Sequence, residues 1–257
     1  MKQLSNIDKK NLQDRLKVEW TYTSNAIEGN TISLGDTAFI IENGLTVKGK
    51  SIAEHTEVVG HAKAIDLIYD LLSKDTMEEN DIFSLHKAVQ STLVIDSECP
   101  LGAYKVVQNA RYVKINEKLE HRYYPHPNDM QYLMKLWFQE FDNISQKQSF
   151  DELLTIYTNM HISFTSIHPF FDGNGRLARL VSNLPLLKND FLPLIINNED
   201  RQEYIELLAN YNITAQELDS KSDKLVEYNS AYYKLYDFFK LQYKNSQNLL
   251  DEILRSK

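Results

Sequence analysis

Apolar residues in this chain recur every third or fourth position almost throughout, the period that a buried helix face requires. Over 7–28 the series is Ile7, Leu12, Leu16, Trp20 and Ile27, and Gly29–Asn30 supplies a stop. The pattern resumes over Leu34–Glu42. It returns over 51–73, where Ile52, Val59, Ala62, Ile65, Ile68, Tyr69 and Leu72 form the expected apolar face. Residues 79–95 continue it, with Asn80 or Asp81 as candidate N-caps. Further helices are predicted over about 128–145, 150–167, 175–190, 200–213 and 222–254, and Pro185 should kink or shorten the third of these. One stretch differs. Between Leu101 and Tyr124, Tyr104, Val106, Val107, Tyr112, Val113 and Ile115 precede the polar Asn116–Glu117–Lys118, which predicts a short hairpin ended by Pro125 and Pro127. The fold class is therefore all-α with one small β-hairpin. Three segments are expected: an N-terminal helical region (1–95), a core (96–215) and a C-terminal helical extension (216–257).

The chain has 257 residues, 42% of them hydrophobic, enough to bury a sizeable core. Its formal charge of −8 argues against a nucleic-acid or membrane-surface binder, since both need a basic field. Cys99 is the single cysteine, so no intrachain disulfide forms, which fits a reducing cytoplasm. The first twenty residues hold no apolar run of signal-peptide length, and no stretch is long enough to span a bilayer. A cytoplasmic location is the expectation.

Chemistry concentrates in His168-Pro169-Phe170-Phe171-Asp172-Gly173-Asn174-Gly175-Arg176-Leu177-Ala178-Arg179, a loop that opens a helix. The glycines let backbone N–H groups approach an anion, and the positive end of the helix dipole faces the same space. Arg176 and Arg179, three apart on one face, can both reach a phosphate. Asp172 set among cations suits a divalent ion shared with phosphate oxygens. His168 is the one group here able to accept a proton near neutrality. Each residue alone fits a helix-capping loop with a buried histidine. No packing need calls for all of them together.

The segment 168–179 resembles the signature of the Fic family, His-Pro-Phe-x-Asp/Glu-Gly-Asn-Gly-Arg-x-x-Arg, at every defined position, and a weaker resemblance runs from about Glu19 to Leu208. It implies the mainly helical Fic fold with a β-hairpin flap, and a protein adenylyltransferase that moves AMP from ATP to a hydroxyl of a target protein. On that resemblance His168 is the base, Asp172 holds Mg²⁺ or Mn²⁺, and Gly173, Asn174 and Gly175 form the anion hole. Arg176 binds phosphate and Arg179 the γ-phosphate, while Tyr204 and Asn212 occupy the adenine-contacting positions. Gly175 stands where phosphate-transferring relatives have lysine, which favours AMP transfer. The flap at 111–124 would dock the target by strand addition. The resemblance allows a homodimer and leaves open whether AMP is added, removed or both. Ser24-Asn25-Ala26-Ile27-Glu28-Gly29 also resembles the inhibitory pattern Ser/Thr-x-x-x-Glu-Gly/Asn of the class with an N-terminal inhibitory helix, with Glu28 and Ser24 as its working residues. Glu28 is odd on physical grounds too, because a carboxylate in the last turn of a helix opposes its dipole.

Two rival readings come from other classes. Gly44-Leu45-Thr46-Val47-Lys48-Gly49-Lys50-Ser51 spells a P-loop, but the segment before it is patterned as helix, where a P-loop needs a buried strand. A catalytically silent interaction module would be expected to lack His168 or Asp172, and both are present. His55 and His61, six apart, do not make a zinc pair, and His86, His121, His126 and His161 carry no metal spacing.

Overall fold

The computed structural model describes residues 5–90, 97–115 and 118–255. Helix α1 (Asn6–Ile27) begins at a capping box of Ser5 and Asp8, and buries Leu12, Leu16, Trp20 and Ile27. Ile7, expected on that face, is exposed because it lies in the first turn, before the helix meets the core. Helix α2 (Leu34–Asn43) is capped by Ser33 and ends at Gly44, whose φ of 65° is the left-handed stop that glycine accepts without strain. Helix α3 (Ile52–Leu71) starts at a Ser51–Glu54 capping box.

The buried face of α3 is rotated from the expected one. Val58, His61, Ala62, Ile65 and Ile68 point inward, while Ile52 is 71% exposed and Val59 is exposed. The true stripe steps by threes and fours from His55 through Val58, His61, Ala62 and Ile65 to Ile68, and it admits two histidines that hydrophobicity alone would exclude. His55 is one of them: its Nδ1 meets the Ser51 carbonyl at 2.7 Å and its Nε2 accepts from Val47 N–H at 2.9 Å, which pins the loop before the helix.

Helix α4 (Glu79–Val89) is capped by Glu78, two or three residues ahead of the expected caps, and the Glu78 N–H donates to the Asp81 carboxylate. The expected extension to residue 95 lies outside the described residues. Strands β1 (Ala110–Ile115) and β2 (Lys118–Tyr123) form the antiparallel hairpin, pairing Arg111 with Arg122 and Tyr112 with His121. The expected turn residues Asn116 and Glu117 lie outside the described residues, and Leu101–Asn109 is irregular chain rather than strand.

Helix α5 (Met130–Asp142) and α6 (Phe150–Ile167) follow, α6 buried on nearly every side. The helix expected over 175–190 is two: α7 (Asn174–Val181) and α8 (Leu184–Lys188). Pro185 enters at the second position of α8, where its missing N–H does least harm, and Asn183 bridges the break to the carbonyls of Arg179 and Leu194. Helix α9 (Arg201–Thr214) packs on α10 (Ser230–Arg255). The last helix starts eight residues later than its aromatic content suggested, because Leu225 and Val226 reach the core from irregular chain. Tyr232, Leu235, Phe238, Phe239 and Tyr243 of α10 join one apolar core that extends back to Leu12. No helix of the described residues is long and apolar enough to cross a membrane.

Candidate active site

The loop between α6 and α7 is built by its own side chains. His168 ends α6 with φ 51° and ψ 59°, a left-handed conformation unusual for a residue with a Cβ, and its N–H caps the Phe164 carbonyl. Phe170 is fully buried and lies flat on His86, ring centroids 4.0 Å apart. The Asn174 side chain closes the loop on Phe170, accepting from its N–H at 2.9 Å and donating to its carbonyl at 2.8 Å. Asn174 therefore has only its backbone N–H to offer an anion. Gly173 takes φ 79°, and the N–H groups of Asn174, Gly175 and Arg176 form the open first turn of α7.

The two arginines are buried beneath this turn. Arg176 donates to Gln90 Oε1 at 2.9 Å, with Glu57 at 3.7 Å and Asp172 at 3.9 Å. Arg179, 3% exposed, spends its donors on α1: Nε donates to Ser24 Oγ at 3.0 Å, and one terminal nitrogen donates to the Ser24 carbonyl at 2.9 Å and to Glu28 Oε1 at 2.7 Å. Ser24 and Glu28 thus meet Arg179 across more than 150 positions of sequence. Arg201 Nε donates to the Ile27 carbonyl at 2.6 Å, holding the end of α1 in place.

Asp172 is 64% exposed in its side chain, accepting from Gln90 Nε2 at 2.6 Å and from Gly173 N–H at 2.7 Å. Desolvation pushes its pKa up, but those two bonds and Arg176 together hold it below the ordinary carboxylate value. It stays an anion. Among the described residues no cluster of three or more His, Cys, Asp or Glu could enclose a metal. One free-facing carboxylate beside an anion cradle fits Mg²⁺ only as a partner of phosphate oxygens and water.

His168 is packed against Tyr124, ring centroids 3.8 Å apart and planes 13° from parallel. Burial, then the charge of Lys105, holds its pKa down at about 3, so the imidazole rests neutral and, in this unliganded environment, is a weak base. Lys105 itself is buried, with its amine on Asn109 Oδ1 at 2.8 Å, and desolvation lowers its pKa to about 7.

The adenine candidates separate. Asn212 accepts from Ser166 Oγ at 3.0 Å and lines a cavity of about 300 Å³ with Arg111, Ser166, Leu225 and Glu227. Tyr204 does not line it. It is 2% exposed, its hydroxyl lies 3.0 Å from His161 Nε2, and its ring lies 5.9 Å from the Arg179 guanidinium, so it supports that arginine from within the core. The P-loop reading fails on context: Gly44 ends a helix, Ser51 caps the next, and Lys50 Nζ donates to Thr31 Oγ1 at 2.8 Å. Gln90, Glu57 and Lys105 adjoin these residues without any sequence signal of their own, and Tyr124 carries only its place at the end of the hairpin.

This is the mainly helical Fic fold. Residues 76–186 match the model of the Fic/DOC family. The Protein adenylyltransferase Fic of Nematostella vectensis is 33% identical over 193 residues, 74% of this chain and 42% of that protein. Protein adenylyltransferase fic-1 of Caenorhabditis elegans is 34% identical over 202 residues, 76% of this chain and 36% of that protein. The chain thus spans about two fifths of the length of these curated relatives. A solved Fic-domain signaling protein from Bacteroides thetaiotaomicron superposes with a TM-score of 0.78 at 23% identity, covering 97% of this chain and 92% of that one. A Fic-1 fragment from C. elegans superposes at 0.70 with 25% identity, covering 98% and 74%. The chain is a Fic/DOC family protein related to the protein adenylyltransferases called Fic.

Proposed function

We propose that this chain is a protein adenylyltransferase held in check by its own N-terminal helix. One observation carries the reading: two buried arginines, a free-facing carboxylate and a neutral histidine converge on the open first turn of α7. The triphosphate of ATP would lie on that turn, against the N–H groups of Asn174 and Gly175, with Arg176 and Arg179 balancing its charge. Asp172 would hold Mg²⁺, which neutralises phosphate charge when bound. Asn212 and the adjoining cavity would take the nucleoside end.

His168 would then accept the proton of a target hydroxyl as that oxygen bonds to the α-phosphorus and pyrophosphate leaves. The target chain would lie along the hairpin β1–β2, which lacks a third strand among the described residues. Glu28 occupies Arg179, so ATP bound to the locked chain would miss the geometry for in-line attack. Misplacement of that kind suppresses a reaction without abolishing binding.

The test is incubation with α-labelled ATP and Mg²⁺, reading label on protein for wild type, Glu28→Gly and Glu28→Gly/His168→Ala. Strong labelling by Glu28→Gly alone is expected. No label above wild type in Glu28→Gly, with ATP bound by both, defeats the autoinhibition. Label undiminished in the double variant defeats the base.

A further inference from the structure

A general base works only when its ring is aimed, and usually a third group aims it through a hydrogen bond to the second ring nitrogen. The nearest His168 comes to such a bond is with the backbone of Thr165, three residues back in the same helix, which draws on the ring while the buried Nδ1 falls short of full hydrogen-bond geometry. What the ring does have is a face, and Tyr124 covers it at 3.8 Å.

We propose that Tyr124 is a positioning residue that fixes the plane of the His168 imidazole from the foot of the hairpin. The inference rests on the reading of His168 as the base and adds the group that aims it.

Tyr124 is itself held on every side that matters. The Arg111 guanidinium lies 4.5 Å from its ring centroid and Lys105 Nζ lies 5.6 Å away. Its N–H donates to the Asn109 carbonyl at 3.1 Å, and its own carbonyl accepts from Gln108 Nε2 at 3.0 Å. The same segment is tied to the loop that carries the base. Asn109 Nδ2 donates to the Phe170 carbonyl at 3.0 Å, and Lys105 N–H donates to the Pro169 carbonyl at 2.9 Å. Stack and staples together leave the imidazole one plane. Arg111 belongs to β1, in register with Arg122 of β2, so a chain added to this hairpin acts on the clamp that holds Tyr124. The docking element and the base are mechanically one piece.

A flat ring pair needs the ring of tyrosine, not its hydroxyl. In the Glu28→Gly background, Tyr124→Leu should lower kcat for AMP transfer by about 10–100-fold, with KM for ATP moving far less, because misaim of the base acts on the chemical step. Tyr124→Phe should restore most of that loss. A readout free of turnover is the ring-proton NMR signal of His168, assigned by its disappearance in His168→Ala. The signal should sit upfield under the Tyr124 ring, move toward the ordinary histidine position in Tyr124→Leu, and stay upfield in Tyr124→Phe. Full-rate transfer by Tyr124→Leu overturns the proposal, as does Tyr124→Phe falling as far as Tyr124→Leu, or a His168 signal that ignores both variants. Failure of the Glu28→Gly parent to transfer AMP would instead sink the catalytic reading, and the NMR arm would still decide whether Tyr124 aims the ring.

Discussion

A Cβ placed on Gly175 would lie 2.6 Å from Glu28 Oε1. The carboxylate of α1 therefore rests in the seat that the bare glycine leaves over the first turn of α7. That seat is the proposed anion cradle, and a side-chain anion sits at its edge. Removing it should admit the triphosphate in full. Glu28→Gly is expected to raise self-labelling from α-labelled ATP by roughly tenfold or more, given the leverage of geometry on the barrier. Ser24→Ala, which removes one of the contacts to Arg179 and leaves the carboxylate, should raise it only partly. Initial rates of label incorporation check both.

The same pair should contribute to stability. Arg179 is nearly inaccessible, and Glu28→Gly leaves its guanidinium with Ser24 as partner. Loss of one partner of a fully buried pair costs about 3–5 kcal/mol, but Glu28 is 41% exposed and the effect must be discounted for solvent screening. We expect a loss of about 1–2 kcal/mol, or roughly 2–8 °C in Tm. Mg-ATP should then raise the Tm of Glu28→Gly by more than that of the wild type. Differential scanning calorimetry with and without nucleotide measures it, and equal shifts would contradict the exchange.

Sequence made the 168–179 loop legible because its groups are contiguous and no packing need explains them together. It could not show Gln90, which reaches Asp172 from the end of α4, nor Glu57, which reaches Arg176 from α3. Neither belongs to a motif, and only the fold brings them in. Tyr204 is hard to read from sequence for a related reason. Its place along the chain suggested a ligand contact, but which side of α9 faces the core depends on α10 and α6, and that side is Tyr204's. The helices themselves were recovered by period, with errors at the ends and in the facing of α3, where buried histidines broke the apolar count.

Buried histidines set a pH limit. His61, His86 and His161 are buried, and desolvation pushes all three pKa values down, to about 4 for His86 and about 3 for His161. The unfolded chain binds protons at about pH 6.5 where the folded chain does not, so stability falls as pH drops below about 6.5 and goes on falling until the folded pKa values are reached. At pH 5 His86 and His161 each contribute about 2 kcal/mol of loss, and His61 acts in the same direction. Urea unfolding from pH 7.5 to 5 should show a falling midpoint with little change in m. A flat midpoint across that range would contradict the burial of neutral imidazoles.

Asp172 should be separable from the fold. Its side chain is mostly exposed and caps only a local turn, so Asp172→Ala should shift stability by less than about 1 kcal/mol. In the Glu28→Gly background the same change should lower transfer by about 100-fold or more and weaken the dependence on Mg²⁺ concentration, if one carboxylate supplies the protein's share of the ion's ligands. Transfer rates across a Mg²⁺ titration decide it. Unchanged Mg²⁺ dependence in the variant would remove Asp172 from the ion.

The apolar core that runs unbroken from Leu12 to Tyr243 bears on how such a chain can be engineered. On the proposed reading helix α1 is both the brake and part of the chassis, since Leu12, Leu16, Trp20 and Ile27 are embedded among residues of the helices that carry the site. Cutting the chain after residue 30 would strip Glu28 and lay bare the underside of the core at the same stroke. A truncated form and a Glu28→Gly form should therefore be different molecules: one sticky and poorly folded, the other whole and, on the proposed reading, released. Low activity in a truncated chain would report the lost packing and say nothing about the brake.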